Sequence, residues 1–250
     1  MKMNEIMMMG TVVRNPEVRW SRGESAIAIA RFSICMDRIG RAGSEAGSDY
    51  VNCICYESVA EYVEKQVKEG SKVFVYGRLL EDSYIGKDKK KVYYTEVVSS
   101  QVIAVDAPRS FNKAVIMGRL TKDPEVRWSQ GEKPIAIARY TLAVDRRGKG
   151  SNEEKTADFF NVVSFGAAAE FVEKYLRKGT KIAVSGRLTS GSYENQEKQK
   201  VYTLEITSER ISFAERKNAG TSEVTSNRTP NTDGGFINIP EGFEEEIPFH

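Results

Sequence analysis

The sequence predicts an all-β protein: two small barrels in tandem, each with one short helix, followed by a disordered acidic tail. Three observations carry this prediction. They are an internal duplication, strand-type apolar patterning interrupted once per copy by a helical period, and a change of composition near residue 218.

The duplication sets the size of the unit. Residues 4–37 (NEIMMMGTVVRNPEVRWSRGESAIAIARFSICMD) match residues 112–145 (NKAVIMGRLTKDPEVRWSQGEKPIAIARYTLAVD) at an offset of 108, with about half of the positions identical. After a loop one residue longer in the second copy the offset becomes 109. It then holds through Asn52/Asn161, Tyr56/Phe165, Glu61/Glu170, Gly70/Gly179, Gly77-Arg78-Leu79/Gly186-Arg187-Leu188, Tyr84/Tyr193 and Val92-Tyr93/Val201-Tyr202. Solenoid repeats run roughly 20–50 residues, so this period belongs to a complete small domain instead. The expected layout is one domain over 1–107, a second over 110–217 and a tail over 218–250.

Within copy one, the stretches 4–13, 26–37, 50–56, 72–79 and 92–105 are rich in Val, Ile, Tyr and Phe with partial period-2 alternation, and read as strands. Asn15-Pro16 and Asp123-Pro124 break the chain after the first strand of each copy. Over 57–69 the period changes: Val59, Tyr62, Val63 and Val67 fall near i, i+3, i+4 and i+8, and Gly70 stands where a helix would end. Copy two repeats this with Ala168, Phe171, Val172, Tyr175 and Leu176 before Gly179. Three strands, a helix, then two strands joined by a polar, Lys-rich turn is the order of a five-stranded Greek-key barrel, the OB-fold. Gly10, Gly77, Gly118 and Gly186 would let strands bend as a closed barrel demands. Residues 218–240 are Asn, Thr, Ser, Gly and Pro without a period, a disordered linker, and the chain closes on Gly242-Phe243-Glu244-Glu245-Glu246-Ile247-Pro248-Phe249-His250.

Composition excludes several functions. No apolar run approaches the roughly 18 residues of a membrane span. The Ile6–Met9 cluster is too short for a signal-peptide core and meets Gly10 and Arg14. Three cysteines (Cys35, Cys53, Cys55) form no disulfide framework, which suits a reducing cytoplasm, and each is expected to be a small buried hydrophobe. The single histidine, His250, removes His-based triads and HExxH zinc sites, and no phosphate-binding glycine loop is present. No enzyme activity, metal or cofactor is expected. The net charge of +2 hides a gradient: +1 over 1–110, +6 over 111–217 and −5 over 218–250.

The chemistry concentrates in the third strand. A strand places Tyr50, Asn52, Ile54 and Tyr56 on one face, with Val51, Cys53 and Cys55 behind; copy two places Phe159, Asn161, Val163 and Phe165 opposite Phe160, Val162 and Ser164. The Val-Cys-Cys set resembles barrel filling, and the aromatic-Asn-aliphatic-aromatic set resembles a surface for flat partners. Tyr84, Tyr193, Trp20 and Trp128 extend it. Every nucleobase has a π-face, so such a surface suits unpaired nucleic acid of any sequence. Phosphates would need Arg19, Arg31, Arg78, Lys87, Lys89, Lys90 and Lys91 in copy one. In copy two the cations are Lys113, Lys122, Arg127, Arg139, Arg146, Arg147, Lys149 and Arg187. The acidic Ile-Pro-Phe tip could dock its Phe in a partner's apolar pocket with carboxylates against a basic rim.

With these residues collected, the chain resembles the bacterial single-stranded DNA-binding protein family. The motifs are Asn112 to Arg127, Thr141 to Arg146, Ala157 to Val163, Tyr175 to Gly179 and Gly186 to Leu188, and the likeness covers both repeats and the tail. The resemblance implies OB-folds, single-stranded DNA bound without regard to sequence, and roles in replication, recombination and repair. It also implies a homodimer presenting four barrels, a bacterial or phage source, and a cytoplasmic, nucleoid-associated location. Base-stacking roles carry over to Tyr50, Tyr56 and Tyr84 and to Phe159, Phe165 and Tyr193; Trp20 and Trp128 match an aromatic position after Val-Arg. Glu244, Glu245, Glu246, Ile247, Pro248 and Phe249 match the tip that docks replication, recombination and repair enzymes. Three departures stand out. A stacking aromatic of many members falls near Gly40 and Gly148. Glu81-Asp82-Ser83 and Ser190-Gly191-Ser192 stand where basic residues often precede the fourth-strand aromatic, and His250 follows the terminal Phe. Two other classes share parts of this pattern. An RNA-binding module would use the same aromatics and cations. A nuclease would need metal-binding carboxylates, and no acidic pair recurs in the aromatic strand.

Overall fold

A burial alternation of period 2 runs along the first strand of each repeat, Asn4–Val12 (β1) and Phe111–Leu120 (β7), from Glu5 and Lys113 onward, and both strands are central to the architecture. The computed structural model describes residues 3–22, 25–38, 47–86, 89, 91–107, 109–130, 133–146, 157–194 and 200–215. Repeat one continues as Glu17–Trp20 (β2), Ala28–Asp37 (β3), Ser48–Tyr56 (β4), Glu57–Gln66 (α1), Lys72–Ile85 (β5) and Lys91–Ala104 (β6). Repeat two follows with Glu125–Trp128 (β8), Ala136–Asp145 (β9), Ala157–Phe165 (β10), Ala167–Tyr175 (α2), Lys181–Glu194 (β11) and Lys200–Phe213 (β12).

Each repeat closes as a barrel. β1 pairs antiparallel with β3 and β5, β3 with β4, and β5 with β6, and a parallel β4–β6 pair completes the ring; β7, β9, β10, β12 and β11 repeat this. This is the OB-fold. Ile6, Met8, Val12, Ile34, Val51, Cys53, Val75, Leu79 and Val97 fill the first barrel, and Ile116, Leu142, Val162, Ile182, Val184 and Leu188 the second.

The glycines act by close approach. A Cβ on Gly10 would stand 2.5 Å from the Cys35 carbonyl oxygen, and one on Gly118 2.5 Å from that of Ala143. Gly77 and Gly186 press against the Val98 and Thr207 carbonyls at register shifts, where β5 and β11 bend.

The helices differ from the expected stripe. Ala60, Val63 and Val67 are buried in copy one, and Ala169, Val172 and Leu176 in copy two, while Tyr175 is half exposed. α1 ends at Gln66 with Val67 as its C-cap, so Gly70 is no cap. It takes φ +80° in a turn that the Ser71 N–H closes on the Lys68 carbonyl, as Gly179 does at +82° in copy two. Strands β2 and β8 went unexpected; four residues behind a proline are too few for a period. β5 runs six residues beyond its expected end, to Ile85, because the hairpin with β6 projects past the barrel.

The two barrels share one sheet. β1 and β7 lie antiparallel from Asn4↔Ile116 to Met9↔Phe111, which joins both rings into twelve strands within one compact unit. Within each repeat an asparagine extends the pairing of the first strand: Asn4 on β1 accepts from the N–H of Leu79 on β5 and donates to its carbonyl, both at 2.9 Å. Asn112 does the same for Leu188 at 2.9 and 2.8 Å.

Candidate nucleic-acid interface

The outward face of each barrel is built in rows across strands. In copy one, Arg19, Ile29 and Tyr56 stand side by side on β2, β3 and β4. The next row is Glu17, Arg31, Ile54, Val98 and Arg78, across β2, β3, β4, β6 and β5. Ser33 and Asn52 follow, with the Ser33 hydroxyl donating to the Asn52 carbonyl oxygen at 2.6 Å, then Cys35 beside Tyr50. Copy two keeps the pattern: Arg127, Ile137 and Phe165; then Glu125, Arg139, Val163, Thr207 and Arg187; then Thr141 bonded to Asn161 at 3.0 Å; then Ala143 and Phe159.

The rings on this face are open. Tyr50, Tyr56 and Tyr84 are 55%, 37% and 56% exposed, and Phe159, Phe165 and Tyr193 are 46%, 49% and 56%. Trp20 and Trp128, 53% and 52% exposed, end β2 and β8, where alternation along the strand turns them away from the side of Arg19 and Arg127. Rings this wet on a folded sheet leave apolar area that only a partner can cover. One expected member differs. Ile54 and Val163 are buried: each has an arginine in register on one side, Arg31 or Arg139, and Val98 or Thr207 on the other, and arginine stems of this kind cover apolar neighbours. The aliphatic position is thus floor, and the aromatics flank it.

Electrostatics follow the same rows. Arg31, Arg78 and Arg127 make no ion pair among the described residues, whereas Arg139 meets Glu205 at 3.9 Å and Arg19 meets Glu17 at 3.8 Å. Lys122 lies 2.5 Å from Glu125 and holds that carboxyl below its ordinary value. Lys113 and Arg187 share Glu209 at 2.8 and 3.9 Å on the margin of the face. A shallow recess in copy two is lined by Lys122, Glu125, Arg139, Asn161 and Glu205. Glu96 lies buried on the floor of copy one; burial pushes its carboxyl up, opposed by Arg31 and reinforced by Asp82. Burial likewise raises the Tyr56 hydroxyl, with Glu96 adding to it and Arg31 and Arg78 opposing.

Arg146 is placed elsewhere than expected. Its guanidinium pairs with buried Asp158 at 2.9 Å and donates to the Glu81 carbonyl of the other repeat at 2.8 Å, with a side chain only 21% exposed. Lys89 lies in the β5–β6 turn and Lys91 begins β6, whereas Lys87, Lys90, Arg147, Lys149, Gly40, Gly148 and the tip Glu244 to Phe249 lie outside the described residues. Among the described residues no group of three or more His, Cys, Asp or Glu could hold a metal ion, and no helix is long and apolar enough to cross a membrane.

This geometry has a counterpart among known proteins. A model of the single-strand binding protein family matches twice, over residues 3–105 and 111–214. The chain belongs to that family. A single-stranded DNA-binding protein of Staphylococcus aureus (strain MRSA252) is 36% identical over 156 residues, 55% of this chain and 99% of that protein. Single-stranded DNA-binding protein A of Bacillus subtilis is 43% identical over 111 residues, 44% of this chain and 63% of that one. Among solved structures, the wild-type single-stranded DNA binding protein of Thermus aquaticus superposes with a TM-score of 0.70 at 22% identity, covering 87% of this chain and 96% of that one. A deletion mutant of the same protein gives 0.71 at 21% identity, covering 88% and 98%. These structures share the two-barrel fold.

Several residues on the face of this single-strand binding family member escaped the sequence reading. Tyr94 packs against Tyr84 with ring centroids 5.9 Å apart. Glu96 and Glu205 face outward from β6 and β12, though nothing in their local pattern sets them apart from solvated acids. Tyr93 and Tyr202, on the opposite face of their hairpins from these rows, are 59% and 77% exposed. The Val-Tyr pair shared by both copies carried that signal, but it served only to establish the duplication.

Proposed function

We propose that the chain binds single-stranded DNA without sequence preference, stacking bases on the eight open rings and setting phosphates against the arginines of the same rows. The observation that carries this reading is the doubled cation–apolar–cation row, Arg31–Ile54–Val98–Arg78 and Arg139–Val163–Thr207–Arg187, flanked in both copies by half-exposed aromatics. Stacking is indifferent to base identity and a guanidinium is indifferent to which phosphate it meets. The binding is non-catalytic. Its purpose would be to protect single strands in replication, recombination and repair in a bacterial cytoplasm, with the tip Glu244 to Phe249 recruiting partner proteins. The modules would span 1–107 and 110–217, with 218–250 as tether.

The same reading makes the protein a homodimer of four barrels. The back of the shared sheet supports it: Phe74, Met9 and Phe111 stand in one row, and Tyr76 and Met7 in the next, all partly exposed. Copy two, at net +6 against +1, should bind the more tightly of the pair.

Competition tests this directly. Fluorescent oligo(dT) bound to the protein should be displaced by poly(dT) far better than by poly(U) or duplex DNA, and affinity should fall with salt at a log–log slope of about −0.7 per phosphate. Displacement by poly(U) at equal concentration would transfer the reading to RNA.

A further inference from the structure

The β5–β6 and β11–β12 hairpins have two faces, and only one belongs to their own barrel's aromatic rows. Side chains directly opposite in an antiparallel pair share a face, as do alternate residues along a strand. Glu81, Ser83 and Ile85 therefore share a face with Thr95, Tyr93 and Lys91. Ser190, Ser192 and Glu194 share the equivalent face with Leu204, Tyr202 and Lys200. This second face is turned toward the other repeat. The Glu81 carboxylate accepts from the Phe159 backbone N–H at 3.3 Å, and the Ser190 hydroxyl accepts from the Tyr50 N–H at 2.9 Å.

A reciprocal pair of carboxylates fixes the arrangement. Asp49, 2% exposed, accepts from Arg38 Nε and Nη2 at 3.0 and 2.7 Å and from the Ser190 N–H at 2.8 Å, while Arg38 Nη2 donates to the Ser190 carbonyl at 2.8 Å. The bond to Asp49 raises the Arg38 guanidinium above its ordinary value. Across the pseudo-twofold, Asp158 accepts from Arg146 and from the Glu81 N–H at 3.3 Å, and Arg146 grips the Glu81 carbonyl. Each repeat thus holds one residue of the other's hairpin by both backbone groups.

On the faces held this way sit two rings that the binding rows do not use. Lys91 Nζ lies 5.2 Å from the Tyr93 ring centroid, and Lys200 Nζ lies 5.5 Å from that of Tyr202, so each cation covers one ring face and leaves the other open. Building on the single-strand reading above, we propose that Tyr93 and Tyr202 are crossing sites. Each stacks a base of the same DNA strand as it passes from one repeat's groove to the other, Tyr202 after Tyr50 and Tyr93 after Phe159. Asp49 and Asp158 are the positioning residues that keep each ring beside the other repeat's groove.

Comparing a short with a long strand tests this on the full chain. An oligo(dT) of about 8 nucleotides fits one barrel's groove, and one of about 35 nucleotides must run through both. The exposed rings can be removed without touching the core, so Tyr93→Ala/Tyr202→Ala should leave short-strand affinity within about twofold and weaken long-strand affinity about tenfold or more. Asp49→Asn should show the same split, and Ser190→Ala should speed hydrogen exchange at the Tyr50 amide. Equal losses for both lengths, no loss for either, or an unchanged Tyr50 exchange rate would each overturn the proposal. So would a change in chain mass assembly for the tyrosine variant, since the rings would then belong to a subunit contact. Wild-type protein that binds neither strand would remove the single-strand reading itself, a different signature from an intact short-strand affinity with no length split.

Discussion

Replacing Phe165 by alanine separates binding from folding. The ring is 49% exposed, so about half of its surface already lies in water. Full burial of such a side chain is worth roughly 1.5–3 kcal/mol, which puts the folding loss at about 1 kcal/mol. A base stacked on the ring is worth about 1–3 kcal/mol, and at about 1.4 kcal/mol per decade this is a loss of about 5- to 150-fold in affinity. Copy one would mask much of it, so the assay reads copy two alone. In a Trp20→Phe background Trp128 is the remaining tryptophan and stands at the end of the strand beside Phe165's row. Quenching of its fluorescence by oligo(dT), followed at fixed salt, should shift to higher concentration for Phe165→Ala and stay near the parent for Phe165→Tyr. A shift under twofold, with an unchanged melting temperature, would refute stacking at this face.

Three further outcomes follow from single groups. Burial raises the Glu96 carboxyl, so the folded chain holds that proton more tightly than the unfolded one. That contribution is present below the unfolded carboxyl value of 4.5 and is lost as pH rises through the folded value. Glu96→Gln should therefore raise Tm at neutral pH, with the gain shrinking to nothing by about pH 4, and should tighten oligo(dT) binding by removing a negative charge near Arg31; a lower Tm at neutral pH would contradict this. Cys53 and Cys55 are buried, and burial pushes the Cys55 thiol up to about 12 and the Cys53 thiol higher still. A thiol reagent at mildly alkaline pH should label at most Cys35, which is partly exposed, and all three after denaturation. Glu57 takes φ +52°, where the equivalent residue of copy two is Gly166 at +56°. A side chain in that region costs about 1–2 kcal/mol, against about 0.5–1 kcal/mol for the extra freedom of glycine in the unfolded chain, so Glu57→Gly should be neutral to slightly stabilising by chemical denaturation, whereas Gly166→Glu should destabilise.

The barrels were legible because a duplication repeats every local signal and because strand patterning, Gly placement and one helical stripe agree on one order. The rings of the third strand were legible for the same reason, since residue type alone says which side chains suit a base. What remained hidden depends on distance in sequence. Asp49 meets Ser190 across 141 positions, and no local pattern distinguishes it from a solvated acid. The β1–β7 seam is equally silent, because alternation shows that β1 is half-buried without naming what pairs with its edge. Arg146 read as a surface cation for the same reason: its partners, Asp158 and Glu81, come from another strand and another repeat. Ile54 and Val163 alternate with core residues and so read as surface, and their burial comes from neighbours in the register that lie far away in sequence, Arg31 and Val98 for one, Arg139 and Thr207 for the other.

The most direct measurement compares oligo(dT) with an abasic strand of equal length, identical in its phosphates and lacking only the bases. With tryptophan fluorescence as the readout, the abasic strand should quench Trp20 and Trp128 little and bind many-fold more weakly, while keeping a similar dependence on salt. Equal affinity and equal quenching for the two strands would show that the open rings hold no bases and that charge alone accounts for the contact.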